Sequence, residues 1–72
     1  MILMFRVWKD SENPADYADF PAPGILGVAM HKMLEIAQQP GTVSVMLFAP
    51  DDMFRIAVMT GNTGLQVKRG KA

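Results

Sequence analysis

Seventy-two residues make one domain and no more, because a chain of this size buries only about 60% of the surface its unfolded form exposes, and no large enclosed active site is expected in it. Half the residues are hydrophobic and 19% are charged, which argues against disorder. There is no cysteine to build a disulfide framework or a thiolate metal site, and seven basic residues cancel seven acidic ones. That neutrality removes the long-range field of a dedicated nucleic-acid binder.

Met1 to Trp8 is bulky, apolar and partly β-branched, and Lys9 to Pro14 closes it with a polar cluster, so a strand followed by a turn is expected. The apolar runs 1–5 and 45–49 are far shorter than the roughly 20 residues that cross a bilayer. Arg6 follows the first run, the reverse of a signal peptide, and a soluble, cytoplasmic protein with no membrane partner is expected. Asp10, Glu12, Asp16 and Asp19 make the next stretch acidic. Within it, residues 16–20 alternate as a short second strand, which Pro21 and Pro23 confine to an edge or a loop.

Residues 24–39 have helical periodicity. Ile25, Leu26, Ala29, Met30, Met33, Ile36 and Ala37 share one side, and Gly27, His31, Lys32, Glu35, Gln38 and Gln39 the other. Pro23 suits the first turn, and Pro40 and Gly41 stop the helix. Two β-rich runs, 42–49 and 53–60, flank the turn-forming Pro50, Asp51 and Asp52 and read as an antiparallel hairpin. Residues 61–64 are another turn signal, and Leu65, Gln66 and Val67 can extend the sheet before a frayed basic tail, residues 68–72, with Lys68, Arg69 and Lys71. The expected fold is therefore α+β over residues 1–72: an antiparallel sheet of three to five strands with one amphipathic helix on one face.

Alternation along the strands gives two lists. Leu3, Phe5, Val7, Val43, Val45, Leu47, Phe54, Ile56 and Val58 form the face expected under the helix. The opposite face holds Met4, Arg6, Trp8, Ser44, Met46, Phe48, Met53, Arg55, Ala57 and Met59. A solvated sheet face is normally polar, whereas Met, Trp, Phe and Arg are enriched at protein interfaces. Met4, Arg6, Trp8, Met46, Phe48, Arg55 and Met59 are accordingly the candidate partner-binding residues, unless residues 10–23 fold across this face or the register differs. Serine at positions 8 and 48 is expected to abolish binding and leave the fold intact.

No catalytic, cofactor or metal site is read from the chain. His31 and Glu35 are one helical turn apart, but no second His, no Cys and no further carboxylate completes a site. Asp51 and Asp52 are explained by the hairpin turn, and Gly24 and Gly27 match neither dinucleotide nor P-loop spacing.

The leading strand 1–9, the helix 24–39 and the hairpin 42–60 together resemble the layout of small proteins encoded by phages and mobile elements, anti-CRISPR proteins among them. The resemblance implies a non-enzymatic inhibitor that obstructs a larger nucleoprotein complex by surface contact, in the host-cell cytoplasm. The same face, or a strand edge, can also make a homodimer. The alternative reading is a single-stranded nucleic-acid binder, with Trp8 and Phe48 stacking on bases and Arg6 and Arg55 meeting phosphates.

Overall fold

A computed structural model of the chain describes residues 2–9, 12–60, 65–66 and 70–71. Among the described residues six strands and one helix follow in order: β1 Leu3–Trp8, β2 Tyr17–Ala22, α1 Leu26–Ala37, β3 Ser44–Ala49, β4 Phe54–Thr60, β5 Leu65–Gln66 and β6 Gly70–Lys71. The sheet runs β2-β1-β3-β4-β5, with β6 also on β4, and every neighbouring pair is antiparallel. Strands β2 and β3 are thus parallel with β1 between them, and α1 is the crossover that joins them. This is the expected α+β fold, an antiparallel sheet with one helix on one face.

The second strand survives its proline because it lies at the edge. Pro21 sits opposite Met4, with only β1 as a neighbour, where a missing N–H need not break a ladder on both sides. Gly70 and Lys71 pair with Arg55 and Phe54, inside the stretch expected to be a tail. Residues 68, 69 and 72, the turn signal at 61–64 and Val67 lie outside the described residues. The helix starts later than its periodicity implies. Ile25 is the N-cap, in an extended conformation with no side-chain hydrogen bond to the helix, so Pro23 precedes the cap instead of opening the first turn.

Helix α1 packs on β3 and β4. Its Ala29, Met33 and Ala37 are buried against Leu3, Phe5, Val7, Val45, Leu47, Ala57 and Met59. Three alanines let the helix approach the sheet closely, and two methionines fill what they leave.

Strand β4 corrects the two expected faces. Leu47 pairs with Ala57 but Phe48 pairs with Arg55, so Ile56 is an extra residue without a partner across the ladder, a β-bulge. Before the bulge the alternation holds, and Arg55 shares the face of Phe48. After it the sides exchange. Ala57 and Met59 enter the core beneath the helix, and Val58 turns to the second face beside Met46. Met59 is therefore a core residue, not a candidate for partner contact.

Candidate functional site

The second face is built from cross-strand rows. Trp8 lies between Tyr17 and Ser44, Arg6 between Asp19 and Met46, and Met4 between Pro21 and Phe48; Met46 continues to Val58 and Phe48 to Arg55. Residues in such rows are near enough to interact directly. Arg6 donates from Nε to Asp19 Oδ1 at 2.8 Å and from Nη2 to Asp19 Oδ2 at 3.0 Å. Its guanidinium lies 4.0 Å from the Tyr17 ring centroid and 5.0 Å from that of Phe48. The hydrogen bonds to Asp19 raise the Arg6 pKa above its usual value, outweighing the opposing effect of desolvation.

This row of side chains covers what alternation alone leaves open. Phe48 is only 1% exposed and Met46 only 6%, although neither lies under the helix. Serine at position 48 would thus remove core packing, so it does not separate binding from folding. Met4, Arg6, Trp8 and Arg55 are half-buried. The segment 10–23 does not fold across the whole face: its described part forms β2 alongside β1, and Tyr17 and Pro14 reach inward at one end. Trp8 donates its indole Nε1–H to the Pro14 carbonyl at 2.7 Å and meets the Tyr17 ring at 5.9 Å between centroids.

Beside Trp8 the face opens into a hollow of about 340 Å³, lined by Trp8, Pro14, Val43, Ser44, Met46, Arg55 and Val58. Of the seven sequence candidates, Trp8, Met46 and Arg55 meet here. Met4 and Arg6 lie on the same face outside the lining, Phe48 is buried beneath Arg6, and Met59 is in the core. Pro14, Val43 and Val58 also line it, and none of the three is on the expected second face. Strict alternation assigns Val43 and Val58 to the core, and Pro14 enters only through its hydrogen bond to the indole.

A second apolar surface lies at one end of the molecule. The register places the start of β1, the end of β2, the end of β3 and the start of β4 together, and α1 begins four residues after β2. Ile2, Ile25, Leu26, Met53 and Phe54 are all exposed there. The sequence pattern put Ile25, Leu26 and Phe54 in the core, but the first two overhang the helix start and Phe54 the strand start. Two smaller hollows, of about 180 and 190 Å³, flank exposed Phe20 beside β2.

His31 lies 3.7 Å and Lys32 3.6 Å from Glu35 on the outer helix face, all three solvent-exposed. Asp52 Oδ1 accepts the Phe54 N–H at 3.0 Å, a turn-closing bond. Among the described residues no group of three or more His, Cys, Asp or Glu is placed to hold a metal ion, and no helix is long and apolar enough to cross a membrane. Comparison with protein-family models, curated proteins and solved structures found no match.

Proposed function

We propose that the protein is a non-enzymatic module that binds a protein partner through the second sheet face, at the hollow beside Trp8. The observation that carries this reading is the hollow itself: apolar side chains line an open recess on the sheet face opposite α1. Its volume falls within the range of roughly 300–1,000 Å³ common to binding sites. Trp and Arg, the residue types that dominate binding hot spots, both line it. An inhibitor that acts by surface contact requires no more than such a face.

A nucleic-acid ligand is less well supported. Phe48 has almost no exposed ring to offer a base, and Arg6 is committed to Asp19. Affinity capture from the source cell, comparing the native chain with Val58→Asp and Lys32→Glu, tests the proposal. Capture is expected to survive Lys32→Glu on the outer helix face and to fail with Val58→Asp, while thermal unfolding stays cooperative in both. A Val58→Asp variant that folds and still captures the same partner overturns the assignment.

A further inference from the structure

Strand β2 ends the sheet, and among the described residues only β1 pairs with it. Two observations fix which of its backbone groups point outward. The Trp8 carbonyl accepts the Val43 N–H at 2.8 Å, so Trp8, Arg6 and Met4 turn their backbone groups toward β3, and Leu3, Phe5 and Val7 turn theirs toward β2. Their partners Ala22, Phe20 and Ala18 therefore make the ladder, while Tyr17, Asp19 and Pro21 point away from it. Pro21 agrees, since a residue with no N–H falls in the outward set. The free edge thus offers the N–H and C=O of Tyr17 and Asp19 and the C=O of Pro21. Its side chains complement one another. Phe20 is 48% exposed on the helix side of the sheet, and a hollow of about 180 Å³ lies beside it, lined also by Val7, Lys9, Asp16, Tyr17 and Ala18. That volume is comparable to the roughly 150 Å³ cavity that accepts benzene. A charge normally guards such an edge, but the Asp19 carboxylate is already matched by its bidentate contact with Arg6.

We infer that β2 pairs antiparallel with β2 of a second copy of the chain, extending the sheet across a two-fold axis beside Ala18. In this register Tyr17 faces Asp19 of the other copy, and the two such pairs form four backbone hydrogen bonds that use every outward N–H of the strand. Ala18 meets Ala18 at the axis, in a non-hydrogen-bonded pair where strands approach most closely. Phe20 of each copy falls opposite Asp16 of the other, at the mouth of its hollow. Pro21 faces Ala15, whose N–H is donated to Asn13 Oδ1 at 3.3 Å, so the pairing ends there with no ladder bond broken. The next register, with Asp19 against Asp19, opposes like charges and sets Pro21 against the Tyr17 carbonyl, which it cannot satisfy. Helix α1 packs on β3 and β4, two strands in from this edge, so at about 4.8 Å per strand the two helices stay more than about 20 Å apart. The hollow beside Trp8 is on the opposite face, so the dimer does not depend on what binds there. Four ladder bonds and two rings make a contact smaller than the roughly 1,200 Å² of a stable interface, and a reversible, micromolar dimer is expected.

Sedimentation velocity over a range of concentrations, together with single-cysteine cross-linking, tests this in a chain that has no cysteine of its own. The native chain is expected to pass from monomer to dimer as its concentration rises. Ala18→Cys is expected to form a disulfide-linked dimer on mild oxidation, and Lys32→Cys, on the outer helix face, far less of one. Phe20→Lys is expected to weaken association about tenfold, while Val58→Asp, in the hollow beside Trp8, leaves it unchanged. Should Phe20→Lys not fold, the two cysteine variants decide. A native chain that stays monomeric up to millimolar concentration overturns the inference. So does a dimer that Ala18→Cys does not trap in preference to Lys32→Cys, or one that is lost in Phe54→Lys at the apolar end and kept in Phe20→Lys.

Discussion

Arg6 is held from three directions, by the two oxygens of Asp19 and by the rings of Tyr17 and Phe48. Its two roles are separable. The ion pair is partly solvated, so screening discounts it, and Asp19→Asn is expected to cost only about 1 kcal/mol. Arg6→Ala also strips the cover from Phe48, and a loss of about 2–3 kcal/mol is expected from the lost packing. Urea unfolding of the two variants measures the difference. Equal losses would mean that the guanidinium contributes nothing to shielding the ring. Alternation marks the strand at 16–20 but not its neighbour; the observed antiparallel register is what sets Arg6 opposite Asp19 and Trp8 opposite Tyr17. The burial of Met46 and Phe48 was not legible, because alternation describes which face a residue takes and says nothing of neighbours that lean across it.

Among the elements, β4 shows where a sequence pattern loses its hold. The strand is readable from its β-rich composition, but Phe54, Ile56 and Val58 alternate as well as Arg55, Ala57 and Met59, and the bulge that exchanges the sides has no mark in the residues. Deletion of packing distinguishes the two arrangements. Met59→Ala is expected to cost about 2–5 kcal/mol, as for a fully buried side chain, and Val58→Ala about 1 kcal/mol or less. Denaturant titration returning the reverse order would restore unbroken alternation. The helix was readable from its period, yet its first turn is poorly provided for: an isoleucine stands at the N-cap, 70% exposed, and the first turn contains no acidic residue. Ile25→Asp is expected to raise the unfolding free energy by about 1 kcal/mol, supplying both an acceptor and a favourable charge. A decrease in the same titration would show that Ile25 contributes packing that outweighs the cap.

At the scale of the whole molecule, two apolar regions of the described surface face different directions. One is the hollow of the second sheet face; the other is the end formed by Ile2, Ile25, Leu26, Met53 and Phe54. The proposed binding is placed at the first because a concave site with a fixed indole and a guanidinium can recognise a particular partner, whereas scattered convex side chains give adhesion with little discrimination. Chemical-shift mapping of the ¹⁵N-labelled protein with the captured partner compares the two regions in one measurement. Binding at the hollow predicts shifts at the amides of Trp8, Ser44, Met46 and Val58 and at the Trp8 indole N–H, with the amides of Ile2, Ile25, Leu26 and Phe54 unmoved. Shifts confined to that apolar end, with the Trp8 indole unchanged, would contradict it.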